Sequence, residues 1–267
     1  MKLSCRGWVV PVACLVFLLG GSRFAQALVL DWDTVAWTAG SLNNSYDLTG
    51  DAVNDITVTI TSQNPGIFTN DPTTGMQTPA INQSLTGGLT PAENSIDIAA
   101  NLHTNSNLTV QLTFGGQYGL ATNVSFTIFD IDVTTNSDII SNIYGVAADG
   151  TLVAATITNL GSTITPSGSL LTQKLTGNAA SPDNSGNGNA TISFGGVAIT
   201  DVFFTFGNNA GAPRYQDIAI GDVTFTPVPE INPAAASAVS CLLALGAMRA
   251  FHRRAKLKAR YLPRGRS

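Results

Sequence analysis

Cysteine is almost missing from this chain: three in 267 residues, Cys5, Cys14 and Cys241, all inside two apolar end segments. The stretch between those segments therefore holds no disulfide, no thiolate nucleophile and no thiolate metal site. Basic side chains are nearly as scarce. Residues 28–226 carry Lys174 and Arg214 against sixteen acidic residues, a formal charge of −14, while the whole chain reaches only −4 because its other basic residues sit at the ends. A surface so acidic repels phosphate backbones and excludes nucleic acid as a partner, while it favours cations. His103 is the one histidine in that stretch and Glu93 its one glutamate. No Gly-x-Ser-x-Gly elbow, phosphate-cradling glycine loop or zinc-ligand set occurs. Aspartates abound, but none stands in a pattern that separates an acid from a base role, as glycan hydrolysis needs. No enzyme is expected.

The ends carry addresses. Lys2 and Arg6 precede an apolar run from Trp8 to Gly21, and Ala25-Gln26-Ala27 is a small-x-small cleavage site. Residues 1–27 thus read as a helical signal peptide, with the mature chain starting at Leu28. Cys14 lies too early in the apolar run to be a lipidated cysteine. At the other end, residues 227–267 hold Val228-Pro229-Glu230-Ile231-Asn232-Pro233, an uncharged run from Ala234 to Ala247, and eight basic residues between Arg249 and Arg266. The run sits at the lower limit for a transmembrane helix, which takes about 17–25 residues. The basic cluster keeps the C-terminus cytoplasmic and puts the preceding domain outside.

A Pro-Glu motif, one short apolar helix and a basic cluster containing Arg253 and Arg254, in that order, resemble the PEP-CTERM sorting signal handled by exosortases. Ile231 stands where that family usually has Pro, with Pro233 two residues on. The resemblance spans about 35 residues. It implies an exosortase-type processing partner, passage through the inner membrane, cleavage near the motif, and release to the cell surface or extracellular matrix.

Residues 28–226 are rich in Thr, Asn, Ser, Gly and β-branched residues, a composition that favours pleated strands joined by turns. No helical period appears. Alternating runs are clearest at 56–61, 95–99, 108–114, 124–133, 139–147, 152–158, 170–175, 190–194, 199–206 and 218–225. In Leu108–Phe114 the residues Leu108, Val110, Leu112 and Phe114 share one face, and Thr109, Gln111 and Thr113 the other. The expectation is a single all-β domain, an antiparallel β-sandwich of jelly-roll type. Asn107 to Gly116 echoes Asn189 to Gly196, each followed by an aromatic strand. The turn-rich stretches 62–92 and 176–189 read as long surface loops.

Asp130-Ile131-Asp132 closes the most aromatic strand, and Asp138 follows after a polar loop. Carboxylates at i and i+2 of a strand share a face, so Asp130, Asp132 and Asp138, with loop carbonyls and Asn136, are the candidate ligands for Ca²⁺. Asp217 and Asp222 belong to the same or another site. The bland alternative is Asp as an ordinary turn residue. Trp32, Trp37, Tyr46, Tyr118, Tyr144 and Tyr215 offer platforms for sugar. The reading is a non-enzymatic, structural or adhesive protein of an envelope or exopolysaccharide layer. The alternative is a carbohydrate-binding module, Ca-dependent or not, ahead of a glycan hydrolase; no ligand-binding residue is assigned.

Overall fold

The computed structural model describes residues 26–64, 67–115 and 119–228. The signal segment through Ala25, Pro229 to Pro233, the apolar run, Arg253 and Arg254, and with them both expected flanking helices, lie outside the described residues; Ala27 and Val228 lie inside. Among the described residues no helix is long and apolar enough to cross a membrane.

The described residues form β1 Leu28–Leu30, β2 Asn43–Tyr46, β3 Ile56–Ser62, β4 Ala80–Asn82, β5 Ser95–Leu102, β6 Leu108–Phe114, β7 Ala121–Phe129 and β8 Asp138–Ala147. Then follow β9 Leu152–Ala154, β10 Thr156–Thr158, β11 Ile164–Ser167, β12 Lys174–Gly177, β13 Ala190–Gly195, β14 Ile199–Asn208, β15 Arg214–Ile220 and β16 Val223–Pro227. All pairings are antiparallel. One ladder runs β2-β3-β6-β14-β8-β12-β11, with β9 sharing the β8 edge. The other runs β10-β13-β7, and the far edge of β7 takes β16 along most of its length and β15 at its C-terminal end. β1 then extends β16, while β5 and β4 extend β15. A single pair, Ile199↔Ala121, joins the ladders into one curled sheet.

Alternation explains which face goes inward. In β6 Leu108, Val110, Leu112 and Phe114 are buried while Thr109, Gln111 and Thr113 stay half-exposed. The inner faces meet directly: Phe126 of β7 stacks on Phe204 of β14 with centroids 6.0 Å apart, and Phe114 of β6 meets Phe225 of β16 at 5.1 Å. Each such ring, fully buried, contributes about 1.5–3 kcal/mol by its apolar area. The main cluster continues through Trp32, Ile56, Ile98, Ile140 and Ile218.

The expected 218–225 strand is broken at Gly221-Asp222. There Trp32 Nε1 donates to Gly221 O at 3.0 Å, and Trp32 N to Asp222 Oδ1 at 3.0 Å, so the N-terminal segment holds the break. The expected 124–133 strand stops at Phe129: Asp130 turns to a left-handed φ of 65°, and Ile131 N then donates to Gly188 O at 2.8 Å instead of to a neighbouring strand. The echoing pairs exchange partners: β6 lies against β14, and β13 against β7. Of the two stretches expected as surface loops, 176–189 is largely exposed and carries no strand past Gly177, whereas 62–92 is in good part buried. Residues 67–94 contain β4 and the buried residues Ile67, Asp71, Thr78, Leu85 and Thr86.

Candidate functional site

β5 and β15 pair over seven positions, from Ile220↔Ile96 to Arg214↔Leu102. Ile96, Ile98, Ile218 and Ile220 face the main core, so alternation sends Asp97, Ala99, Tyr215, Asp217 and Ala219 to the opposite face. Asp97 stands opposite Ala219, one diagonal step from Asp217, a spacing of about 7–8 Å along an antiparallel pair. β7 reaches the same place, with Phe129 opposite Ala219, and Asp130 follows at once.

Two segments roof this face. In the first, residues 67–94, Leu85 packs on Phe129 and Ala219 in a small apolar cluster. Gly87, with φ 59°, lies so flat on the Phe129 ring that any Cβ would strike it. In the second, residues 178–189, Gly188 sits where a Cβ would come within 2.9 Å of the Asp130 Cα, and its carbonyl accepts from Ile131 N at 2.8 Å. The segments clasp each other: Thr86 N donates to Asp183 O at 3.2 Å, and Asn189 Nδ2 to Gly87 O at 2.8 Å.

The enclosed chamber gathers carboxylates. Burial is the largest influence on each, pushing Asp97 up to about 7, Asp130 to about 8 and Asp217 to about 6. Mutual repulsion adds to burial, and every pair among Asp97, Asp130, Asp183 and Asp217 repels. Hydrogen bonds pull the other way. Asn82 Nδ2 donates to Asp97 Oδ2 at 3.1 Å, and Tyr215 Oη to Asp217 Oδ2 at 2.9 Å. Asp71 differs. Burial works to raise it, but Ser84, Thr74 and the Thr73 and Thr74 N–H groups outweigh that and hold it below the usual carboxylate range. Asp97 Oδ1, Asp130 Oδ1 and Asp138 Oδ1 are buried without any hydrogen-bond partner. Two unit charges about 7 Å apart repel by about 2 kcal/mol at an effective dielectric near 20. An enclosed, unpaired carboxylate carries a desolvation penalty besides.

Asp130, Asp132 and Asp138 do come near one another, but not as a strand face. Asp130 and Asp132 follow the end of β7, and Asp138 opens β8. Asp132 N donates to Asp138 Oδ2 at 3.2 Å, and Ser181 N to Asp132 Oδ2 at 2.7 Å. Burial raises both Asp132 and Asp138 above the usual range. Asn136 gives its carbonyl to Gln216 Nε2 at 3.0 Å. Asp217 joins the chamber, whereas Asp222 is engaged at the Trp32 break. The sequence reading did not connect Asp71, Asp97 and Asp183 with these, and no local signal could have: they arrive from three separate parts of the chain. No three His, Cys, Asp or Glu among the described residues are already gathered tightly enough to hold an ion.

The aromatic candidates divide. Trp32, Trp37 and Tyr46 form a buried edge-to-face cluster with centroids 6.4 and 6.1 Å from Trp32, Tyr215 serves Asp217, and Tyr118 lies outside the described residues. Tyr144 of β8 stacks on Phe203 of β14 at 5.3 Å on the outer face of the first ladder, half-exposed. Beside Phe203 on that face lie Gln111, Thr113 and Asp201. Gln111 Nε2 and Thr113 Oγ1 both donate to Asp201 Oδ1, at 2.8 and 2.7 Å. On the other ladder a cleft of about 470 Å³ is lined by Ser125, Thr127, Asn159, Thr191, Glu93 and Asp222 among others. His103 is half-buried, and its Nδ1 accepts from Asn105 N in its own loop.

No protein-family model and no curated protein matches the chain. Among solved structures it is similar to a family 11 carbohydrate-binding module from Clostridium thermocellum in complex with a β-1,3-1,4-mixed-linked tetrasaccharide. That match has a TM-score of 0.32 and 11% identity, covering 78% of this chain and 99% of the other. It is similar also to the family 11 module of the cellulosomal cellulase Lic26A-Cel5E of the same organism, at TM-score 0.32 and 10% identity over 79% and 99%. A third similar structure is the cleaved adhesin domain of Lys-gingipain from Porphyromonas gingivalis, at TM-score 0.31 and 9% identity over 76% and 99%. Likeness of this degree carries no argument about ligand or activity.

Proposed function

We propose that this chain is a non-enzymatic, exported module with a structural or adhesive role in the envelope or an exopolysaccharide layer, a jelly-roll-type sandwich sorted by an exosortase-type system. The observation that carries the adhesive half is the half-exposed Tyr144–Phe203 stack on a sheet face that sets Gln111, Thr113 and Asp201 on one side of it and Val146 and exposed Leu152 on another. A stacked pair presents an apolar ring face to the C–H face of a sugar. Asp201, fixed by Gln111 and Thr113, supplies a positioned acceptor for hydroxyls beside it. Burial argues against hydrolysis by the chamber aspartates, since Asp97, Asp130, Asp132 and Asp138 are closed off from any polymer. The open cleft does bring Glu93 near Asp222, but Asp222 Oδ1 is committed to Trp32 N.

The test is retardation of the purified full chain in gels containing bacterial exopolysaccharides, with a Tyr144→Ala/Phe203→Ala double variant beside it. Loss of about fivefold or more in affinity is expected, because each of the two rings contributes on the order of 0.5–1.5 kcal/mol by stacking. Retention of full affinity by the variant removes the face from the reading. The hydroxyl-lined cleft favours a second reading, a carbohydrate-binding module gripping sugar between loops, and Thr127→Val/Thr191→Val tests it in the same gels. Sorting is tested by the intact mass of the native protein: a species from Leu28 to near Glu230 is expected, and one retaining Arg253 to Ser267 contradicts exosortase processing.

A further inference from the structure

We infer that the chamber roofed by residues 67–94 and 178–189 is a binding site for a divalent, oxygen-seeking cation of the Ca²⁺ class, organised by Asp97, Asp130 and Asp217 from below and Asp183 from the roof. The site is independent of the sugar-facing surface. It draws on β5, β7 and β15, of which the sequence reading had named Asp130 and Asp217 alone.

Three observations converge. The first is placement: two strands locked in register over seven pairs and the end of a third bring Asp97, Asp217 and Asp130 to one face, and Thr86 ties Asp183 to the roof above it. The second is the pair of unpartnered oxygens, Asp97 Oδ1 and Asp130 Oδ1, on side chains 1% and 7% exposed. A buried carboxylate oxygen without a donor is a large uncompensated loss of hydration, and proteins rarely leave one so. A cation supplies that missing partner. The third is that neither Lys nor Arg among the described residues does so. Lys174 pairs by backbone with Ser141 on the first ladder, and exposed Arg214 donates to Pro213 O.

The donor chemistry selects the ion. The chamber offers carboxylates, the Asn82 amide and backbone carbonyls, with no imidazole or thiolate, so zinc and copper are disfavoured. Ca²⁺ accepts six to eight oxygens in irregular geometry, whereas Mg²⁺ demands a near-ideal octahedron and gives up its waters reluctantly. The carboxylates stand apart as they are, so ion entry must draw them together. The strand backbones are fixed by their ladder, so the Asp97, Asp130 and Asp217 side chains turn toward the ion while the roof carrying Asp183 closes on it. The ion thus clamps residues 67–94 onto 178–189.

The test is calorimetric titration of CaCl₂, and separately MgCl₂, into the full chain stripped with EDTA, with thermal unfolding in each state. Ca²⁺ at a hundred times its dissociation constant is expected to raise Tm by about 5–10 °C. No heat and no shift overturns the assignment, and equal affinity for Mg²⁺ overturns the Ca²⁺ class. Asp97→Asn and Asp130→Asn, which keep shape and lower charge, should lose the Ca²⁺-induced shift. Their stripped forms are expected to unfold no lower than the stripped parent, because a repelling charge has gone. Because a buried change can unfold the chain, Asp183→Asn on the exposed roof is the safeguard: about tenfold weaker binding is expected, and unchanged binding overturns its role. Asp149→Asn, exposed in a distant turn, should respond as the parent does. Loss of polysaccharide binding leaves this result untouched, and the reverse holds.

Discussion

At the scale of single residues, the chamber couples stability to protons. In the stripped protein Asp97 and Asp130 hold protons up to about 7 and about 8, against about 4 when unfolded. The folded state therefore binds more protons between those values, and stability falls as pH rises through that window, being flat below about 4. Asp132, Asp183 and Asp217 face these groups and reinforce the trend by repulsion, while Tyr215, a neutral donor to Asp217, and Asp71, lowered by its hydrogen bonds, work the other way. Urea unfolding in EDTA should show a loss of at least about 2 kcal/mol from pH 4.5 to pH 8; a gain would mean the carboxylates are compensated inside the protein. Gly87→Ala should destabilise by about 1–3 kcal/mol, since φ 59° is strained for Ala and its Cβ meets the Phe129 ring. Trp32→Phe removes the Nε1–Gly221 bond and strands a buried carbonyl, at a cost of about 1–3 kcal/mol in the same assay.

At the scale of elements, the two ladders are held face to face by rings rather than by covalent links. Phe126 and Phe204 stack across the core, so Phe126→Leu and Phe204→Leu should couple by about 0.5–1.5 kcal/mol in a double-mutant cycle. Additive effects would mean that the two faces pack independently. Alternation made five strands readable from the chain: β3, β6, β8, β13 and β14 stand where it placed them, to within two residues at either end. It failed at β2, Asn43–Tyr46, and β11, Ile164–Ser167, which are short and polar and carry no period. It overran at Asp130, where a left-handed residue, invisible to hydrophobic pattern, ends β7. The first roof segment was misjudged for a related reason. Gly, Pro, Asn and Asp signal turns equally well whether the turn lies in water or over a buried cluster.

At the scale of the whole molecule, sixteen acidic side chains on residues 28–226 against two basic ones repel one another, and monovalent salt screens that repulsion. Raising NaCl from 10 to 200 mM in EDTA should lift Tm by about 2–5 °C; a fall would point to stabilising ion pairs instead. The pairings are also distant in sequence, as when β5 meets β15 or β1 meets β16. Such topology predicts folding in milliseconds to seconds rather than microseconds. By itself the sequence determined composition, charge and the strand-forming character of residues 28–226, because each of these is a property of neighbours along the chain. The gathering of Asp97, Asp130 and Asp217 under two clasped segments that carry Asp71 and Asp183 was decided only by the tertiary structure. Those residues are separated by tens of positions and meet only because β5, β7 and β15 pair, and because Gly87 and Gly188 let the roof approach closely enough to shut out water.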